Sequence, residues 1–170
     1  GKGLKGMTTK EEDIVVDSFV TSSHDYIMFF TNHGKAFWLK GYRIPEGGRH
    51  SKGKAIINLL ARLEEGEYVE TAIPVHEFDD QHFLIFSTKK GIIKKTKLSA
   101  YSNVRVNGIR AINLDEGDEL ISTKLSDGNQ TVMIASANGQ ACRFNEGEVR
   151  PMGRVTRGVI GIRLGKDDKV

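Results

Sequence analysis

The side chains best suited to act on another molecule are lysines and arginines set beside glycines. From Gln81 to Arg110 the chain holds seven Lys and Arg and no Asp or Glu. Lys52 precedes Gly53, Lys90 precedes Gly91 and Arg157 precedes Gly158. Glycine lets a backbone approach closely, and amide N–H groups left open there can meet phosphate. The loops RHSKG, VRVNG and GRVTRG share this design, each with a basic residue three or four places ahead of its glycine. Such residues bind a polyanion; they do not make or break bonds.

Motifs for bond chemistry are not found. GxSxG, GxxxxGK[ST] and HExxH do not occur, and GGRHSKG (47–53) lacks the GK[ST] of a phosphate loop. His76, Asp79, Asp80 and His82 fall close together, but no second ligand pair has metal-binding spacing, so they read as an exposed acidic loop. Cys142, the one cysteine, sits in an apolar strand and reads as core; a lone cysteine suits a reducing, cytosolic setting. No catalytic set, metal site or cofactor is expected. Tyr26, Phe37, Trp38 and Phe83 are expected to pack between modules, with base stacking by Trp38 or Tyr42 as the less favoured use.

Charge changes sign along the chain. Residues 31–56 carry six cations against Glu46, residues 57–80 one cation against seven acids, and residues 111–130 one cation against five acids. Residues 139–163 then carry five arginines against Glu146 and Glu148. The net charge of +3 hides this pattern. Cations that merely solvate strand faces would not keep phase over three segments. If each module places its hairpin and loop on one side, the basic segments join into a stripe and the acidic turns gather elsewhere, as a polyanion would require. The candidate contacts are Lys2, Lys5, Arg49, Lys52, Lys54, Lys89, Lys90, Lys94, Lys95, Arg105, Arg110, Arg143, Arg154 and Arg157.

The elements that must position them repeat. YIMFF (26–30), the turn TNHG (31–34) and KAFWLK (35–40) make a hairpin, followed by a loop with Pro45 and the run AIINLL (55–60). Gly91 lies under Gly34 and Gly108 under Gly53, which matches Asn113 to Asn58; Gly139 and Gly158 begin the same pattern again. The period of roughly 50 residues suits a four-stranded β module, and little helix is expected. The reading is all-β: three propeller-like modules at 13–75, 76–125 and 126–170, led by a strand at 13–20 and a basic, glycine-rich arm at 1–12. Propellers usually need four or more blades, so an incomplete ring is expected. No run of 18 apolar residues is present to span a membrane.

Three motifs carry a family resemblance: T-x-x-G-[KI] at Thr31 and Thr88, R-x-x-K-G-x-x-x-I-N-L-L from Arg49, and E-G-E-x-V from Glu65. Together they resemble the C-terminal domain of bacterial DNA gyrase A over nearly the whole chain, most closely at Ile44–Val69. Gly1-Lys2-Gly3 are similar to the end of that family's wrapping motif, Gln-Arg-Arg-Gly-Gly-Lys-Gly. The resemblance implies a β-pinwheel whose blades exchange strands, typically about six of them. It implies a non-catalytic domain that bends duplex DNA around its basic perimeter in support of ATP-dependent negative supercoiling. It also implies a cytoplasmic setting and, as partners, the rest of gyrase A and gyrase B. The related C-terminal domain of topoisomerase IV is the near alternative. A β-repeat scaffold for an acidic protein is the alternative from another class.

Overall fold

The computed structural model describes residues 26–40, 61–103, 105 and 107–170. The expected arm at 1–12, the strands at 13–20 and 55–60, and Lys2, Lys5, Arg49, Lys52 and Lys54 lie outside the described residues. Among the described residues there is no α-helix, only two short 3-10 turns at Leu98–Tyr101 and Glu146–Glu148. None of their helices is long and apolar enough to cross a membrane.

The described residues form ten strands in order: β1 (Tyr26–Thr31), β2 (Lys35–Lys40), β3 (Val69–Val75), β4 (Phe83–Thr88), β5 (Ile92–Lys97), β6 (Ile109–Arg110), β7 (Leu120–Ser126), β8 (Thr131–Ala135), β9 (Ala141–Asn145) and β10 (Val159–Ile160). They form antiparallel sheets ordered β3-β1-β2-β6, β10-β5-β4-β7 and β8-β9. The β6 strand belongs to the second repeat in sequence but pairs with β2 of the first. Likewise β10 comes from the third repeat and pairs with β5 of the second. Each of the first two sheets is therefore completed by a strand from the repeat that follows. This is the strand exchange of a β-pinwheel, and it fits the expected all-β class.

The hairpins explain how the exchange is held. In each turn the glycine N–H bonds back to the hydroxyl-bearing residue three places earlier: Gly34 to Thr31, Gly91 to Thr88 and Gly139 to Ser136. Gly34 and Gly91 have φ of +83° and +91°, left-handed values that side chains rarely adopt. Their carbonyls face the next repeat. The Gly34 oxygen accepts from Ala111 and Ile112 N–H at 2.7 and 3.3 Å, and the Gly91 oxygen from Gly161 and Ile162 N–H at 2.8 and 3.2 Å. A Cβ would lie 2.7 Å from the Ile112 oxygen at Gly34 and 2.6 Å from the Ile162 oxygen at Gly91. Turn and incoming strand touch backbone to backbone.

The main core lies between the first two sheets. Phe30 and Phe86 meet edge to face at 5.7 Å, and Tyr101 packs on both. Met28, Leu84, Leu98, Ile112 and Leu120 fill the space around them. A smaller cluster of Ile85, Ile93, Ile134 and Ile162 joins the second and third modules, with Cys142 packed against it. Phe37 is buried within its own module beside Ile27 and Phe29, and Tyr26 makes edge contacts with Trp38 at 4.9 Å and, across to the second module, with Phe78 at 5.3 Å.

Gly139 has the same handedness, φ +90°, but nothing lies within 4 Å of where a methyl group would stand. Gly139→Ala should therefore cost only the left-handed penalty, about 1–2 kcal/mol. Gly91→Ala adds a collision with the Ile162 backbone and should cost about 3 kcal/mol or more. Urea unfolding of the two variants checks this; equal losses would contradict the backbone contact.

Candidate nucleic-acid interface

Each hairpin tip is tied to the acidic turn that ends its own repeat. In the first, Thr31 Oγ1 donates to Glu67 Oε2 at 2.6 Å and accepts from Lys35 N–H at 3.2 Å. In the second, Asp118 Oδ1 accepts from Lys90 and Glu119 N–H at 2.9 and 2.8 Å, while Thr88 Oγ1 accepts from Ile92 N–H. In the third, Asp168 Oδ1 accepts from Asn138 and Lys169 N–H at 2.9 and 2.8 Å. Hydrogen bonding, led by the Ser136 hydroxyl, holds the Asp168 carboxyl below its ordinary range. The acidic turns thus latch onto the basic hairpins instead of gathering elsewhere, and this corrects the expected segregation of charge. The pairing extends to side chains: Lys35 Nζ meets Glu64 at 2.9 Å, Lys90 Nζ donates to the Glu116 carbonyl at 2.6 Å, and Arg157 meets Asp115 at 2.7 Å.

His33, Glu64 and Glu67 bring ligand atoms within 4.8 Å of one another. Glu67 is already engaged by Thr31 and by the Glu64 N–H, so this group reads as the same latch. Of the acidic loop noted in the sequence, Asp79 and His82 Nδ1 share a hydrogen bond of 2.8 Å that closes a turn.

The loop between β9 and β10 carries Arg150, Arg154 and Arg157 and runs back across the second module. Met152 N–H donates to the Lys95 carbonyl at 2.7 Å, and Asn113 N–H donates to the Thr156 carbonyl at 3.1 Å. Arg154 Nη1 donates to the Arg110 carbonyl at 2.5 Å, and Arg110 Nη1 donates to the His33 carbonyl at 2.7 Å. His33, Arg110 and Arg154 come from three successive repeats. Arg110 and Arg154 therefore form a chain of cations that crosses both module boundaries. Arg110 and Arg157 are exposed and Arg154 is half-buried.

The other expected contacts divide. Lys90, Arg105 and Arg143 are exposed and Lys89 is half-buried. Lys94 and Lys95 are 0% and 4% exposed, which removes them from any surface that a polyanion could touch. Lys94 lies opposite Phe86 on β5, its Nζ donating to the Ala111 carbonyl at 2.6 Å and to the Arg154 carbonyl. Lys95 Nζ pairs with buried Glu146 at 3.2 Å and lies 4.5 Å from the centre of the Phe83 ring. Glu146 also accepts from the Ser126 hydroxyl at 2.9 Å and from Gln130 N–H at 2.8 Å.

The sequence matches the family model described as DNA gyrase C-terminal domain, beta-propeller, over residues 1–22, 25–76, 82–127 and 130–170. The chain belongs to this family. Its relatives include DNA gyrase A of Halalkalibacterium halodurans, 51% identical over 95% of this chain and 19% of the relative. DNA gyrase A of Deinococcus deserti is 46% identical over 100% of this chain and 21% of the relative. The chain thus spans about a fifth of the length of these curated relatives. Among solved structures, the C-terminal domain of DNA topoisomerase IV superposes with a TM-score of 0.76 at 29% identity, over 86% of this chain and 46% of that one. The DNA gyrase A C-terminal domain gives 0.66 at 26% identity, over 88% and 47%. For this gyrase-family chain the fold alone does not separate the two enzymes, whereas the sequence relatives named here are gyrases.

The Lys95–Glu146 pair makes a stability prediction. Lys95→Met leaves a buried carboxylate without its cation and should cost about 3–5 kcal/mol. Lys95→Met combined with Glu146→Leu should recover most of that loss, since apolar side chains can replace a buried pair. Denaturant midpoints of the two variants read this directly; a double variant no more stable than the single would contradict it.

Proposed function

We propose that this chain binds duplex DNA without sequence preference and bends it along its basic loops, as the DNA-wrapping domain of a type IIA topoisomerase. One observation carries the reading: the linked line from His33 through Arg110 to Arg154, which crosses two module boundaries. Lys90, Arg105, Arg143 and Arg157 are the further candidate contacts, with Lys89 beside them. Lys2, Lys5, Arg49, Lys52 and Lys54 extend the proposal to residues outside those described. The family relatives named as DNA gyrase A favour gyrase over topoisomerase IV. On this reading the duplex and the rest of gyrase A and gyrase B are the partners, in the cytoplasm, and the domain assists ATP-dependent negative supercoiling without catalysing it. The modules are taken as residues 13–75, 76–125 and 126–170, with an arm at 1–12.

Bending 20–30 base pairs costs on the order of 1–6 kcal/mol, so several phosphate contacts must offset it. A second reading, a scaffold for an acidic protein, has one observation in its favour. Val155, Val159 and Ile160 are exposed beside the arginine loop, where a protein partner would find an apolar hot spot.

Salt dependence separates the two. Duplex affinity should fall steeply with salt, and each of Lys90→Gln, Arg110→Gln and Arg154→Gln should reduce the slope of log affinity against log salt by about 0.9. Each should weaken all duplex sequences alike. A flat salt response, or loss on one sequence only, would contradict the proposal.

A further inference from the structure

We propose that Lys94 is a positioning residue for the arginine loop: from beneath, its buried ammonium ties the Arg154 backbone to the Ala111 carbonyl and so sets Arg154 toward DNA. The inference rests on the DNA-binding reading above and deepens it.

The geometry places Lys94 where it cannot reach a ligand but can hold one of the groups that does. It is fully buried on β5. Its Nζ bridges Ala111 of the second repeat and Arg154 of the third. These two carbonyls lie in different repeats, so the bridge spans a module boundary. Arg154 in turn donates to Arg110, the neighbouring cation of the line.

The first repeat gives the internal control. Counting three places from the turn glycines, Gly34 and Gly91, Lys94 occupies the place of Phe37. Phe37 fills that place as a buried ring packed over Gly108. The fold is thus satisfied there by a hydrocarbon. A buried ammonium is the more costly occupant, because desolvation penalises its charge. Among the described residues no carboxylate pairs with it; two carbonyls and the Phe86 ring, 5.1 Å away, are its partners. A costly charge at a position that a ring can fill points to work done through Arg154.

The groups facing Lys94 set the expected pH response. From the loop, the Arg154 guanidinium repels it. From the 98–101 turn, Tyr101 donates its hydroxyl to the same Ala111 carbonyl at 2.9 Å, and burial raises its own pKa. From β4 the Phe86 ring faces it, and the Gly158 backbone just ahead of β10 lies against its Cβ. Burial first, and Arg154 second, lower the Lys94 pKa to about 7. A phosphate drawn to Arg154 favours the ammonium, so its pKa is higher in the complex than in the free chain. Binding then takes up a proton. Affinity is greatest below pH 7 and falls as pH rises from there toward the higher pKa of the complex.

The test uses the full chain and a mixed-sequence duplex in isothermal titration calorimetry near pH 7, in buffers of different ionisation enthalpy. Wild type should take up more protons on binding than Lys94→Met or Lys94→Gln. Lys94→Met should weaken binding about tenfold, and in an Arg154→Gln background the same change should cost less than about twofold. Equal costs in both backgrounds, or equal proton uptake with and without Lys94, would overturn the role. If Lys94→Met fails to fold, Lys94→Gln, which keeps N–H donors but does not titrate, supplies the proton-uptake comparison, and that comparison alone then decides the role. Absence of duplex binding by wild type would instead defeat the DNA reading itself.

Discussion

One backbone contact organises this molecule. The carbonyl of a left-handed turn glycine, Gly34 or Gly91, accepts two amides from the strand of the following repeat, at a separation that leaves no room for a side chain. Because donor and acceptor belong to different repeats, each of the first two sheets is completed only by a strand of the repeat that follows. The same contact fixes where each connecting loop must pass, since residues 111 and 161 are held against the turns one repeat earlier. Basic loops attached to those strands are therefore delivered to corresponding places on successive modules. The line from His33 through Arg110 to Arg154 is the visible result.

The two module boundaries meet the same packing demand with different chemistry. At the first, Trp38, Val75 and Leu98 come together with Tyr26 as an apolar cluster. At the corresponding places of the second stand Lys95, Ser126 and Glu146, joined by an ion pair and a hydroxyl bond beneath Phe83. A slipped pairing that set Glu146 against Trp38 and Val75 would bury an unpaired carboxylate, at a cost of several kcal/mol. The polar boundary thus adds order to a chain of similar units. A repeat made of identical apolar interfaces would lack that discrimination.

Much of this was legible in the sequence. The turn glycines, the hairpins at 26–40 and 83–97, and the period all follow from apolar runs broken by glycine, and they reappear as strands. Which strand completes which sheet was not legible from pattern alone, because β6 and β10 are two residues long and pair outside their own repeats; only the resemblance pointed to exchange. Lys94 and Lys95 misled for a related reason. In IIKKTK the lysines read as polyanion contacts, yet five of the six residues of β5 are buried and both ammonium groups are engaged by Ala111, Arg154 and Glu146. A signal was present: aligned on the turn glycines, Lys94-Lys95 fall on Phe37-Trp38, a pair that reads as core. The acidic turns misled too, because net charge by segment does not show that Asp118 or Asp168 spends its oxygens on hairpin amides.

On the proposed function, exchanged strands carry the cations onto one track that a duplex follows and bends around. Relaxing a closed plasmid with a nicking–closing enzyme in the presence of increasing amounts of the chain, then removing protein and measuring linking number, tests it most directly. A linking-number shift of constant sign that grows with the protein-to-DNA ratio is expected. Saturating, salt-sensitive binding with no shift in linking number would contradict it.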